Sequence, residues 1–296
     1  MRDLTILGHL TIDFLKGSWG YSKLPGGPAY YTSIAGKSMN LNVTAISKVG
    51  EDYPISFLDK LKSYGVEVKL TVTQRPTTTF EIEYNKDRRM KLMEKCVDYT
   101  LEDLNNQFSR GLHLGPVAGE IPSEVASQAM RKAEFTSVDV QGFIRSFDDE
   151  GKIILRSSLD GALKKAELIK CSLEEAQAIT GRIQPEDALR KLSTLGPKIV
   201  IVTSGPKGAL MAINRKGYRG PAYPWVKVRD VTGAGDVFVG AFLAGILRQS
   251  DEMWSFSLAL AAASKAIEKV DSLRMTLDRK AVERRAEWIR DRIHRI

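Results

Sequence analysis

The period of the apolar positions changes several times along the chain, and each change predicts an element. Short apolar runs at Leu4–Leu7, Val43–Ser47, Leu112–Leu114, Thr136–Val140, Ala166–Lys170 and Ile199–Thr203 have the length and branched content of buried strands. Helical segments lie between them. Pro28–Lys37 carries Pro in its first turn, Tyr53–Tyr64 stops at Gly65, and Leu173–Thr180 stops at Gly181. Ser123–Lys132 and Pro185–Leu195 read as helices, and three more cover 236–248, 252–268 and 278–294. From about residue 111 strand and helix alternate regularly, which predicts a mostly parallel sheet with helices on both faces. Val66–Val72 and Thr78–Tyr84 alternate in the strand period, and the polar 85–95 stretch reads as a hairpin tip and a further strand. The segments at about 10–24 and 66–95 therefore predict a small lid sheet inserted in one α/β domain spanning 1–296. In such sheets ligands sit at the carboxyl ends of the strands.

Composition narrows the class. The 296 residues are 43% hydrophobic and 27% charged, enough for a full core and unlike a disordered chain. Cys96 and Cys171 are the only cysteines, so no disulfide framework is needed and a reducing cytoplasm is the natural reading. His9, His113 and His294 are widely spaced and show no metal-ligand pattern. The longest apolar run, Val237–Leu247, is 11 residues, far short of the ~20 that a membrane span needs. The N-terminus has Asp3 and then a strand-like run, not the pattern of a signal peptide.

The net charge of +8 raises the question of a nucleic-acid or membrane partner, and its location answers it. Residues 274–296 hold eight basic and four acidic side chains, interleaved with Ala281, Val282, Trp288, Ile289 and Ile293. That is the pattern of a peripheral amphipathic helix with opposite charges in reach. Most of the remaining excess lies in 85–95, at the lid tip, where Lys86, Arg88 and Arg89 would assist a polyanion. The expectation is therefore a small-molecule enzyme with no nucleic-acid or membrane partner. The competing reading from another class is a non-enzymatic nucleic-acid binder that uses the basic tail.

The sharpest chemical feature is Asp230-Val-Thr-Gly-Ala-Gly-Asp236 before an apolar helix. Gly233, Ala234 and Gly235 open that helix, so their backbone N–H groups and its dipole make an anion hole. Asp236 in the first turn suits a general base that takes a proton from a hydroxyl beside that hole. The plainer alternative is a glycine-rich turn with Asp as the cap. The segment is not a dinucleotide fingerprint, because the third glycine falls at Phe238; Gly36-Lys37-Ser38 is not a P-loop, because its first glycine falls at Tyr31. Near the N-terminus, Asp13 lies just past the first strand, and Gly26-Gly27 precedes a helix. A carboxylate grips a pair of hydroxyls, and two glycines let a polyol approach backbone N–H groups.

Gly8-x4-Asp13, Gly26-Gly27, Thr203-x-Gly205-x2-Gly208 and Asp230-x-Thr-Gly-Ala-Gly-Asp236 resemble, in order and spacing, the ribokinase-like (PfkB) carbohydrate kinases, over essentially the whole chain. The resemblance implies a three-layer α/β/α domain with a mostly parallel sheet and a β-sheet lid. It implies transfer of the γ-phosphoryl group of ATP, with Mg²⁺, to a hydroxyl of a small polyol. Asp236 would be the base, Gly233, Ala234 and Gly235 the anion hole, and Asp13, Gly26 and Gly27 the substrate holders. The family usually has Asn-x-x-Glu at a helix start, tied to Mg²⁺ and phosphate. Here Ser172-Leu-Glu-Glu175 keeps Glu175 as the metal-linked residue, and Ser172 can cap the helix and hold a metal-bound water. Glu174 reads as a solvated helix charge.

The Ser-x-x-Glu form, Thr79-Phe-Glu81 and the run from Val138 to Arg145 resemble the myo-inositol kinases of this family. Thr79, Glu81, Asp139, Gln141 and Arg145 would then bind the substrate, since an uncharged ring of hydroxyls needs many donors and acceptors. A structural ion pair between Asp139 and Arg145 is the plainer alternative. On the donor side the resemblance implies Ser172, Thr203, Gly205, Lys207, Gly208 and Thr232 around ATP, with Trp225 either flanking the base or packed in the core. Asp230 and Thr232 lie where many relatives hold a monovalent cation, a role the sequence leaves open. The runner-up is another sugar or nucleoside kinase on the same scaffold. The chain is expected as a monomer or as a homodimer through the lid.

Overall fold

The computed structural model describes residues 3–17, 20–84, 88–105, 108–161, 163–268 and 276–296. Lys86 and the side chain of Arg88, named above for their charge, and the first two residues of the 274–296 segment lie outside the described residues. The chain starts with β1 (Leu4–Leu7) and two hairpin strands, β2 (Thr11–Gly17) and β3 (Gly20–Gly26). It returns through α1 (Pro28–Ser38) to β4 (Val43–Gly50), α2 (Ile55–Ser63) and β5 (Glu67–Thr73). A second hairpin follows, β6 (Thr79–Tyr84) and β7 (Arg88–Glu94). Then come β8 (Gly111–Leu114), α3 (Ser123–Met130), β9 (Phe135–Asp139), the single turn α4 (Gln141–Ile144) and a short hairpin, β10 (Arg145–Phe147) and β11 (Ile153–Leu155). The last third runs β12 (Leu168–Ser172), α5 (Leu173–Thr180), α6 (Pro185–Ser193), β13 (Ile199–Thr203), β14 (Ala209–Ile213) and β15 (Lys216–Gly220). It ends with α7 (Ala234–Leu247), α8 (Glu252–Ala266), α9 (Arg279–Arg290) and β16 (His294–Arg295).

The main sheet has the order β16-β15-β14-β13-β12-β9-β8-β1-β4-β5. It is parallel from β5 to β13 and antiparallel from β13 to β16. Its strands are apolar at consecutive positions because both faces are covered. In β13, Ile199 and Ile201 face the core shared with α1, α7, α8 and α9, while Val200 and Val202 face the core shared with α3, α5 and α6. This is the expected three-layer architecture. The lid is a separate four-stranded sheet, β3-β2-β6-β7.

Three elements differ from the sequence reading. The strand-period alternation places Val66–Val72 in the lid, but β5 pairs in parallel with β4 as the edge of the main sheet, Thr44 opposite Glu67. Alternation reported its half-exposed edge position and not which sheet it joins; the short β4–α2–β5 crossover decides that. The lid therefore uses residues 11–26 and 79–94. The final helix ends at Arg290 rather than 294, and His294 and Arg295 pair with Arg219 and Tyr218. The β10–β11 hairpin was not anticipated. Its turn closes the free edge of the lid, with Leu92 N–H donating to Gly151 O at 2.9 Å.

The basic tail packs as expected. Val282, Ala286 and Ile289 of α9 are buried, and α9 lies against α8. Arg285 pairs with Glu268 at 2.8 Å, Arg290 with Asp251 at 3.1 Å and Arg279 with Glu283 at 2.7 Å. Among the described residues no helix is long and apolar enough to cross a membrane.

Candidate active site

A cleft of about 80 Å³ opens between the lid and the carboxyl ends of the main strands. Asp13, Gly27, Gln141, Arg145, Thr232, Gly233 and Asp236 of the expected residues line it. Its roof is apolar, because Phe80 and Ile82 alternate onto the inner face of β6, joined by Met90 from β7 and by Val117. The same alternation corrects two expectations. Glu81 lies between Phe80 and Ile82 and so on the outer face of the lid, and Thr79 is buried with its hydroxyl donating to Thr77 O at 2.9 Å. Neither lines the cleft.

The floor begins with Asp13 on β2, buried, its Oδ1 accepting from the Thr11 hydroxyl at 2.7 Å. Gly26 does not line the cleft but backs this carboxylate: a Cβ there would meet Asp13 Oδ2 at 2.1 Å. Gly27 has φ +85° and a Cβ would meet His9 O at 2.4 Å, so only glycine fits where the lid enters α1.

The glycine turn, expected to bind an anion, forms at the start of α7. Gly233 is the N-cap in the left-handed region, φ 72°, with the ring of Tyr31 2.5 Å from where its Cβ would be. Asp236 is thus not the cap but a first-turn residue, and no side chain caps this helix. Ala234 N–H already donates to Val231 O at 3.2 Å, which removes it from the expected set of free donors. Burial, the largest cause, pushes the Asp236 carboxyl up to about 7. Lys170 and Arg145 oppose this, and the carboxylates of Asp139 and Asp13 add to it. A carboxylate that titrates near neutrality is matched to accepting a proton from an alcohol.

Asp139, expected at the substrate, is placed beside Lys170 instead. Its side chain is 1% exposed and absent from the cleft wall. Its Oδ1 accepts from Gln141 N–H at 3.0 Å and its Oδ2 from Lys170 Nζ at 2.8 Å. The plainer alternative also changes partners, since Arg145 pairs with Glu175 at 3.4 Å instead. Although burial works against it, Lys170 and the hydrogen bonds hold Asp139 below the usual carboxylate range.

Ser172 and Glu175 form a complete capping box on α5. Glu175 N–H donates to Ser172 Oγ at 3.2 Å, and Ser172 N–H donates to Glu175 Oε2 at 2.8 Å. Both carboxylate oxygens of Glu175 are therefore engaged within the chain, while Glu174 is exposed as expected. Among the described residues no group of three or more acidic, His or Cys side chains converges as a metal cage. Thr203 ends β13 beside Ser172, its hydroxyl donating to Cys171 O at 3.3 Å. Gly205 and Lys207 form one tight turn, Gly208 follows with φ +81°, and Lys207 is exposed. These residues lie at adjacent strand ends, outside the cleft. Trp225 is 65% exposed and packs edge-on against Tyr223 and Trp288, each at 5.4 Å, so it is not a core residue.

Thr232, expected at ATP, lines the cleft and joins the lid. The Tyr84 hydroxyl donates to Asp230 Oδ1 at 2.6 Å and accepts from the Thr232 hydroxyl at 2.6 Å. Thr232 N–H also donates to Asp230 Oδ1, at 2.8 Å. Lys170, Tyr84 and Tyr31 were not singled out from the sequence. Lys170 had a signal: it is a lone charge in the apolar run Leu168-Ile169-Lys170-Cys171. Tyr84 continues the Phe80 and Ile82 stripe.

Comparison with known proteins agrees with this fold. The profile of the pfkB family carbohydrate kinase matches residues 19–277. The cytidine kinase of Thermococcus kodakarensis is 27% identical, over 91% of this chain and 97% of that protein. An inositol 3-kinase of Oryza sativa subsp. japonica is 28% identical, over 79% of this chain and 60% of that protein. A solved pyrophosphate-dependent kinase in the ribokinase family, in a sulfate complex, superposes with a TM-score of 0.85 at 25% identity, covering 95% of this chain and 99% of that one. With the sheet, the lid and the glycine turn beside Asp236 in place, the chain belongs to the pfkB family of carbohydrate kinases, phosphotransferases that act on hydroxyl groups.

Proposed function

We propose that this kinase transfers the γ-phosphoryl group of ATP to a hydroxyl of a small uncharged polyol, myo-inositol being the leading candidate, with Asp236 as general base. One observation carries the reading: a single cleft joins Asp236 to Asp13, Gln141 and Arg145 under an apolar roof. Polar groups on the floor suit a ring of hydroxyls, and Phe80, Ile82 and Met90 suit its C–H face. A substrate with its own phosphate fits less well. Among the described residues Arg145 is the one basic side chain on the wall of this cleft, and it already pairs with Glu175. The inositol 3-kinase relative supports the assignment.

Asp236 takes the hydroxyl proton as the oxygen attacks, while the first turn of α7 faces the charge on the transferring group. Mg²⁺ supplies charge neutralisation on the donor phosphates. Glu175 would hold such an ion only indirectly, because both of its oxygens are engaged within the chain, and the donor phosphates would carry most of its coordination. A second reading, a nucleoside kinase, is favoured by the aromatic walls Tyr31 and Phe80 and by the cytidine kinase relative. The solved relative also brings pyrophosphate forward as an alternative donor.

The test is a phosphoryl-transfer screen of myo-inositol, ribose, fructose 6-phosphate, adenosine and cytidine, each with ATP and with pyrophosphate. We expect the highest kcat/KM for myo-inositol with ATP. A nucleoside that outperforms inositol overturns the acceptor, and faster turnover with pyrophosphate overturns the donor.

A further inference from the structure

β12 lies inside the main sheet, between β9 and β13, and places a lysine where its neighbours Ile169 and Cys171 are apolar and buried. Lys170 is 5% exposed and does not line the cleft. Burying an ammonium group is costly, and a buried pair is weak evidence for stability by itself. The surroundings of Lys170 show what its charge faces. Asp139 at the end of β9 holds Nζ at 2.8 Å. Glu175 on α5 and Asp236 on α7 add negative potential, and His113 on β8 is kept neutral by burial, pushed down to about 4. On the α7 side, a Cβ on Gly235 would come within 2.8 Å of Nζ. The absence of a side chain at Gly235 brings the helix start down onto the lysine. Asp236 in turn faces Lys170 and Arg145 as cations and Asp139 and Asp13 as anions.

We propose that Lys170 is a positioning residue of the transfer site: its ammonium group, clamped by Asp139, is the positive floor beneath the phosphate-binding turn at Gly235. This rests on the reading of that turn as the phosphate site. Four carboxylates, Asp13, Asp139, Glu175 and Asp236, surround a region that must accept a polyanion. Lys170 offsets them from a position no ligand can displace. Its pair with Asp139 also fixes Gln141, whose N–H the same carboxylate holds. One buried pair thereby links the acceptor wall to the donor turn.

The test uses Lys170→Met and the charge-neutral double variant Lys170→Met/Asp139→Asn in the full chain. The first readout is calorimetric binding of magnesium pyrophosphate and of MgATP without acceptor, so it stays informative if no polyol in the screen is phosphorylated. We expect at least a tenfold loss of affinity in both variants. The double variant guards against misfolding, since it leaves no uncompensated buried charge. The second readout is the pH profile of kcat with whichever acceptor turns over; in Lys170→Met its acid limb should move up by half a pH unit or more. A double variant with wild-type melting temperature and wild-type donor affinity overturns the proposal, because the pair would then serve packing alone. Wild-type protein that binds neither donor overturns it as well.

Discussion

At the residue scale, Asp236 is defined by the difference between its environment and water. Its carboxyl is pushed up to about 7, chiefly by burial, so the proposed base is mostly protonated below that pH and mostly ionised above it. The acid limb of kcat/KM is expected near 7 in the free enzyme. Asp236→Asn should lower kcat by roughly 10²–10⁴-fold with little change in donor affinity, and near-normal turnover would remove the base assignment. The same shift has a sign in stability. Between the ordinary carboxylate range and pH 7 the unfolded chain ionises this group while the folded chain keeps it protonated. Wild-type stability from Asp236 is therefore full at low pH and lost as pH rises toward 7. Asp236→Asn lacks that loss, so its melting temperature relative to wild type should rise from pH 4 to pH 8; an equal offset at both would contradict the shift. Residue types at strand ends were legible in the sequence for Asp13, Gln141 and Arg145. Asp139 was legible as a strand-end carboxylate but not in its role, because whether a carboxylate faces ligand or lysine depends on the neighbouring strand.

At the element scale, two structures hold the site: the start of α7 and the lid. The Gly-Ala-Gly turn was legible because close approach admits few side chains, and Tyr31 beneath Gly233 is the physical reason. The lid was legible as alternation, but its membership was not, and β5 went to the wrong sheet for that reason. Its attachment was also hidden. Tyr84 bonds Asp230 and Thr232, the residues just before the glycine turn, so this contact ties the lid to the turn. Tyr84→Phe removes the hydroxyl and leaves both partners to water. We expect KM for the acceptor to rise about 3- to 30-fold, with kcat falling less and the melting temperature shifting little, as steady-state kinetics and thermal unfolding would show. An unchanged KM would mean that the latch contributes nothing in the bound state. Ser172 illustrates the other side of element reasoning: its capping role followed from the sequence because a capping box is local.

At the scale of the whole molecule, the charge excess resolves into packing. The basic tail is α9, whose Val282, Ala286 and Ile289 are buried and whose Arg279, Arg285 and Arg290 meet acidic partners. Ile289→Ala, at 0% exposure, should cost roughly 2–4 kcal/mol and lower the melting temperature while the kinetics at a permissive temperature stay near wild type. A change in donor affinity instead would tie the tail to function. The sequence by itself determined the layer order, the strand–helix alternation and the glycine turn that opens α7, and it singled out Asp236 as the proposed base. Those depend on local periodicity and on backbone conformations that few residues allow. Only the tertiary structure decided that Asp139 meets Lys170, that Glu81 faces away from the cleft, and that Tyr84 ties the lid to Asp230. The first depends on which strands become neighbours, the second on which face of β6 turns inward and the third on where the loop before α7 passes the lid, and the partners are 31 residues apart for Asp139 and Lys170 and 146 for Tyr84 and Asp230. Side-chain chemistry is written in the chain, but the direction in which a side chain meets its partner is set by the sheet that holds it.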